Sequence, residues 1–235
     1  MGKKNPRTRS NKIKFHSLPC PCSTRASSSE EQQQPCLVYR SPIALGNDIG
    51  TIFCSSSIAS SPSPSQVVEY KYNEEKNQWD VLSNVRLLQN GQEYKLDQFH
   101  LHQPGEHPIQ GKAGVLEWHL VFGAEDPTTD PPTMLVAVSA FQARLSKSHT
   151  SRGFRQLLRN EPISIPDLGN YWSYAGSLTE PPFILNVAWN IANHFLSITK
   201  ADLRALQSRS KSAEEVQRRD GRDVVFAVVA SKEKH

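Results

Sequence analysis

From Gln66 onward the hydrophobic and polar positions fall into short β-type runs separated by turn signals. The runs are Val67 to Tyr72, Val81 to Leu88, Tyr94 to His102, Val115 to Phe122, Met134 to Ala143, Phe183 to Phe195 and Val224 to Ala230. Asn90-Gly91, Pro104-Gly105 and Asp130-Pro131-Pro132 lie between some of them and mark turns. Two short helices are expected, Ser151 to Arg159 and Asp202 to Ser208, the second with Thr199 as candidate N-cap and Asp202 in the position of a capping box. The low-complexity stretch Ser55 to Ser65 (SSSIASSPSPS) reads as a loop or insertion. The architecture expected is mainly β.

Composition narrows this picture. A chain of 235 residues, 37% hydrophobic and 21% charged, suits one large all-β or mixed domain or at most two small ones. No apolar run reaches the ~18 to 20 residues of a membrane span. Of the 27 Lys and Arg, seven lie in residues 1 to 29 without a single acid; the other 20 face 23 acids, a net of −3 over residues 30 to 235. The basic character belongs to the N-terminal segment, and a nucleic-acid partner loses its electrostatic footing. Residues 1 to 34, rich in Lys, Arg, Ser, Pro and Gln, read as a disordered basic tail or a transit segment, ahead of a domain over residues 35 to 230. They hold no continuous apolar stretch of the secretory kind, and Pro6 stands where a myristoylation signal wants Ser or Thr. Cys20, Cys22, Cys36 and Cys54 lack the paired C-x-x-C sets of a structural zinc module. These features favour an intracellular location, cytoplasm or organelle, over secretion. The oligomeric state is not legible.

The chemistry concentrates between Leu96 and Phe122. Successive side chains of a strand alternate faces, so Gln98, His100 and His102 share one face and Phe99 and Leu101 the other. In the next run Glu117, His119 and Val121 share a face opposite Trp118, Leu120 and Phe122. If the two runs pair as antiparallel neighbours, three imidazoles converge and leave one tetrahedral position of a zinc ion open, the arrangement of catalytic zinc for which carbonic anhydrase is the standard example. Gln98 and Glu117 are placed to accept the second ring N–H of a ligand. The competing reading makes His100 and His102 surface residues and His119 a hydrogen-bonded core histidine. His107, in the turn after Glu106, is expected to be structural; His149 and His194 suit surface roles, and His16 and His235 lie in the tails.

His100-Leu-His-Gln-Pro-Gly-Glu106 also matches the first motif of cupins, in which the Glu would be a ligand, but the second cupin motif is not found downstream. Gln98-Phe-His-Leu-His-Gln-Pro-Gly-Glu-His107 followed by Leu116-Glu-Trp-His-Leu-Val121 closely resembles the zinc segment of α-class carbonic anhydrases. Tyr171-Trp-Ser-Tyr-Ala-Gly-Ser-Leu-Thr-Glu-Pro-Pro182 and Asn186-Val-Ala-Trp189 resemble that family's second signature, and the likeness runs with gaps from about Pro35 to about Val225. It implies a large twisted, mostly antiparallel sheet with a few short peripheral helices. It also implies a lyase activity: reversible hydration of carbon dioxide to bicarbonate and a proton by a zinc-bound hydroxide, a reaction of one-carbon metabolism. By the resemblance, His100, His102 and His119 bind zinc, Thr179 accepts a hydrogen bond from the hydroxide, and Glu106 accepts the Thr179 proton. Val121, Leu178 and Trp189 match the apolar wall of the carbon dioxide pocket.

The chain departs from the family in several places, among them a short stretch between Phe141 and Tyr171. No histidine occurs between His16 and His100, where the resemblance would put a proton-shuttle histidine, so none is identified. Phe183 replaces a cysteine that in some members pairs with one at the Cys36 position. Glu180 takes a place usually held by a small polar residue near the bicarbonate site, where a carboxylate facing the metal would repel bicarbonate and favour protonated water. The alternative to an enzyme is a catalytically weak carbonic-anhydrase-like interaction protein; members that lose activity commonly lose a zinc histidine, and all three are present here.

Overall fold

In the computed structural model the residues described are 39–46, 51–54, 59–60, 67–126, 133–147 and 152–229. Their elements are β1 (Thr51–Cys54), β2 (Ala59–Ser60), β3 (Val67–Val68), β4 (Tyr70–Asn73), β5 (Gln78–Val81), β6 (Arg86–Gln89), β7 (Gln92–Gln103), β8 (Leu116–Asp126) and β9 (Thr133–Leu145). After these come α1 (Arg152–Arg159), β10 (Ile163–Ser164), β11 (Tyr171–Ser177), β12 (Leu185–Ile198), α2 (Lys200–Leu206), a 3-10 turn at Gln207–Arg209, β13 (Lys211–Ser212) and β14 (Val224–Ala227). The main sheet runs β1-β14-β11-β12-β9-β8-β7-β5-β4, with β6 and β13 also on β7 and β2 on β6; β10 and β3 form a separate pair. Most pairings are antiparallel, and β12/β9, β1/β14 and β13/β7 are parallel. The mainly β, mostly antiparallel architecture expected above is the one observed.

β7, β8 and β9 lie side by side, and the apolar faces of β7 and β8 pack Phe99, Leu101, Trp118, Leu120 and Phe122 into one core with Trp79, Phe141, and Phe154 and Leu157 of α1. Trp79 stacks on Phe99 at 5.4 Å, and Phe99 meets Trp118 edge-on at 5.7 Å. Each such fully buried side chain contributes about 1.5 to 3 kcal/mol relative to exposure. The opposite face carries a second cluster, with Val138, Ala140, Tyr174, Val187, Trp189 and Ile191 buried, and Val121 and Leu178 packed against it. Asn90 and Gly91 close the β6/β7 hairpin with φ of 51° and 83°, the double positive φ of a two-residue turn that matches strand twist.

Some expected boundaries shift. The run Val81 to Leu88 is two strands, because the chain turns at Leu82: its N–H bonds back to the Glu69 carbonyl, and Val85 offers its carbonyl to Leu96. β12 begins at Leu185 and not at Phe183, because Phe183 closes a turn by donating its N–H to the Glu180 carbonyl and has φ of 56°. Within the Ser-rich stretch read as a loop, Ala59–Ser60 pairs with Leu88 and Gln89. The 171–177 segment, noted for its motif but not counted among the runs, is β11. The second helix starts earlier than expected, at Lys200, with Thr199 as its N-cap: Thr199 Oγ1 accepts from the Asp202 N–H at 3.1 Å.

Candidate metal centre

β7 and β8 pair in the register that sets His100 directly opposite His119 and His102 opposite Glu117. A bulge at Asp97 shifts the pairing between Leu96 and Gln98, so the alternation that governs the site restarts at Gln98. The three imidazoles are buried, with ring centroids 4.7 to 5.2 Å apart, and one nitrogen from each lies within 4.8 Å of the others.

Every one of these rings has a nitrogen committed elsewhere. His100 Nδ1 donates to Gln98 Oε1 at 2.9 Å, His102 Nδ1 to the Ser212 carbonyl at 3.0 Å, and His119 Nε2 to Glu117 Oε1 at 2.8 Å. Those bonds fix the tautomers, which leaves Nε2 of His100, Nε2 of His102 and Nδ1 of His119 as lone-pair donors. His102 Nε2 is buried with no hydrogen-bond partner. A buried nitrogen without a partner, within 4.8 Å of lone-pair nitrogens of two other imidazoles, is the donor set of a zinc site, and zinc fits it. Burial and the neighbouring imidazoles hold His100 well below its ordinary pKa and His102 at about 3, so both are neutral and ready to ligate.

Glu117 does more than orient His119. Its Oε2 accepts the backbone N–H groups of Glu106 and His107 at 2.8 and 2.9 Å, and its Oε1 also takes His107 Nδ1 at 2.6 Å. Burial alone would raise this carboxyl; the His107 charge and the hydrogen bonds from His107 and His119 outweigh it and hold it well below the usual range. His107 Nε2 meets the Tyr174 hydroxyl at 2.8 Å, and Tyr174 continues to Ser41 Oγ at 3.0 Å. Both ring nitrogens of His107 are thus engaged in hydrogen bonds that tie the turn after β7 to β11.

Glu106 is buried under the same turn, and its Oε1 accepts from the Glu214 N–H at 2.8 Å and lies 3.1 Å from His102 Nδ1. Burial and the charge of Glu117 push its pKa up to about 8, against the pull of the Glu214 N–H, His107 and the Thr179 side chain. Thr179 is buried in the connection between β11 and β12, which the Leu178 N–H closes onto the Ile184 carbonyl at 2.8 Å. Trp189 Nε1 donates to the Ser177 carbonyl at 2.8 Å, fixing the start of that connection against the wall formed by Trp189, Val121 and Leu178. Glu180, next in the chain, puts Oε1 3.8 Å from His102 Nε2 and Oε2 2.7 Å from Lys211 Nζ.

The structure thus gathers the residues singled out from sequence: His100, His102 and His119 with Gln98 and Glu117, then Glu106, Thr179 and Glu180. Sequence reasoning missed Ser212, Lys211, Glu214, Tyr174 and Ser41. The first three lie on or just after the two-residue strand β13, with no local pattern to single them out. His194 is exposed, as a surface role requires. His16, His149, His235, Cys20, Cys22, Cys36 and the expected tail 1–34 lie outside the described residues.

A family model for eukaryotic-type carbonic anhydrase matches residues 63–224, so the chain belongs to that family. It is 29% identical over 154 residues to alpha carbonic anhydrase 5 of Arabidopsis thaliana, a match covering 59% of this chain and 55% of the relative. It is also 30% identical over 173 residues to the carbonic anhydrase-related protein of Rattus norvegicus, covering 60% of this chain and 59% of that one. The chain thus spans little more than half the length of these curated relatives. The solved structure of the Photobacterium profundum alpha-carbonic anhydrase superposes with a TM-score of 0.63 at 23% identity, over 80% of this chain and 89% of the other. That likeness concerns the fold.

Proposed function

We propose that the chain is a zinc-dependent carbonic anhydrase that interconverts carbon dioxide and bicarbonate. The observation that carries this reading is the division of labour in each imidazole: one nitrogen bound to a fixed acceptor, the other converging with its neighbours in a buried site. Zinc at His100, His102 and His119 would supply Lewis acidity, lowering the pKa of a water ligand to about 7 by the general behaviour of such sites, a magnitude known from carbonic anhydrase itself. Glu106 and Thr179 act on orientation. With its own proton given to the Glu106 carboxylate, the Thr179 hydroxyl would be left to accept from the attacking oxygen and so to aim a lone pair at the substrate carbon. With a divalent cation held by the three histidines, Glu106 would be favoured in its ionised form, against the rise that burial imposes. Val121, Leu178 and Trp189 form an apolar wall suited to a neutral, linear substrate and exclude competing water.

Presence of all three histidines supports catalysis over a scaffold that has lost it. The test is carbon dioxide hydration followed by a pH indicator in stopped flow, with the chain as purified, after chelation, and after zinc is returned. Activity that disappears with chelation and returns with zinc supports the reading. A chain that takes up zinc and does not hydrate carbon dioxide would instead be an interaction protein on this scaffold.

A further inference from the structure

The metal-facing side of the site carries a charge pair that the roles above leave unused. Glu180 is about a third exposed, and Lys211 is 16% exposed. Lys211 Nζ holds Glu180 Oε2 at 2.7 Å, which leaves Oε1 turned toward His102 Nε2, 3.8 Å away. The arrangement is anchored from both ends. Glu180 sits in the turn closed by the Phe183 N–H on its own carbonyl. Lys211 belongs to β13, which pairs in parallel with β7, Lys211 opposite His102, while the carbonyl of the next residue, Ser212, accepts the hydrogen bond from His102 Nδ1. The same two-residue strand therefore orients a metal ligand and sets a cation on the carboxylate beside it.

We propose that Glu180 and Lys211 act together as a specificity-determining pair that disfavours anions at the metal's exchangeable position and leaves neutral ligands unaffected. This rests on the metal-centre reading above. The carboxylate puts one oxygen toward His102, and the ammonium on its other oxygen also acts on His100 and His102 as a positive charge. An anion beside His102 is repelled by the carboxylate 3.8 Å from that ring, and the ammonium offsets part of the repulsion. Carbon dioxide is neutral and indifferent to the pair, whereas bicarbonate is an anion and is repelled. The pair thereby biases the site toward release of bicarbonate in the hydration direction and weakens its capture in the reverse direction. Since the two charges oppose one another, removing one or the other must move anion affinity in opposite directions. At an effective dielectric of about 20 to 40, one unit charge about 5 Å from a bound anion is worth about tenfold in affinity or more.

The test uses the full chain loaded with Co(II), whose visible spectrum reports exchange at the open position, titrated with azide, with thiocyanate and with uncharged imidazole at fixed pH. Glu180→Gln should bind both anions about tenfold more tightly, since Lys211 is then unopposed. Lys211→Met should bind them several-fold more weakly, and the double variant should return toward the wild type. Imidazole affinity should stay within about twofold throughout, and Co(II) affinity, measured by chelator competition, within about threefold. Single variants that shift anion affinity in the same direction, or not at all, would overturn the pair. A tenfold loss of Co(II) affinity in Glu180→Gln would also overturn it, since Glu180 would then be a metal ligand itself. A wild-type chain that takes up no Co(II) or zinc would overturn the metal centre and this inference together; a loaded site indifferent to the substitutions overturns the inference alone.

Discussion

Replacing Glu117 by Gln keeps the shape of the side chain and removes one of two acceptor oxygens from a buried group that takes four N–H donors. The wild-type carboxylate accepts Glu106 N–H and His107 N–H on one oxygen, and His107 Nδ1 and His119 Nε2 on the other. An amide has one oxygen, so in either orientation two donors face an NH2 group. With NH2 toward the backbone, two buried N–H groups lose their acceptor, at about 1 to 3 kcal/mol each. With NH2 toward the imidazoles, relief comes from moving the proton of His119 from Nε2 to Nδ1, the nitrogen needed for metal. The second arrangement spares the fold at the expense of the site. The expected result combines both: the metal-free chain loses about 2 kcal/mol or more, and zinc affinity falls tenfold to a hundredfold, the usual scale for removing a partner of a metal-bound histidine. Urea unfolding of the chelated chain measures the first and competition with a chromophoric chelator the second; nitrogen chemical shifts of His119 report the tautomer. A variant within twofold of wild-type zinc affinity, with His119 still protonated on Nε2, would refute the reasoning.

Three further outcomes follow from the same geometry. Thr179→Ala should retain zinc at wild-type stoichiometry while hydration falls about a hundredfold, the cost of a nucleophile no longer aimed; unchanged hydration at equal zinc content would remove Thr179 from the mechanism. The metal-free chain should be most stable near pH 6.5. Below that, the unfolded chain takes up protons that buried His100 and His102 refuse, so each costs about 1.4 kcal/mol per pH unit on acidification, for His102 until about pH 3. Glu106, held at about 8, works the other way, keeping a proton that the unfolded chain releases above about 4.5, so stability declines again between 6.5 and 8; a urea midpoint that climbs through that interval would contradict the assignment. With no histidine between His16 and His100, proton export should limit turnover, and hydration should rise with added imidazole buffer; a rate independent of buffer would show that another group carries the proton.

The centre of this protein was legible because it obeys strand parity. Gln98, His100 and His102, and Glu117, His119 and Val121, could be placed on shared faces from alternation alone, and antiparallel pairing was enough to bring them together. The role of Glu117 was only half visible, since two of its donors are backbone groups of Glu106 and His107 whose position depends on how the turn after β7 folds back. Ser212 and Lys211 were not visible. They reach His102 and Glu180 from 110 and 31 residues away, on a strand too short to show alternation. The Val81 to Leu88 run misled for the opposite reason: its apolar residues continue across a turn in which Leu82 is exposed while Val85 is buried. Periodicity reports local geometry, and closures between distant segments leave no trace in it.

The most direct test of the central claim measures zinc content and carbon dioxide hydration together in the wild type and in His119→Ala. About one zinc per chain and zinc-dependent hydration are expected in the wild type, with both lost in a variant that still folds. A variant that kept wild-type zinc and hydration, or a wild type that held no zinc, would contradict it.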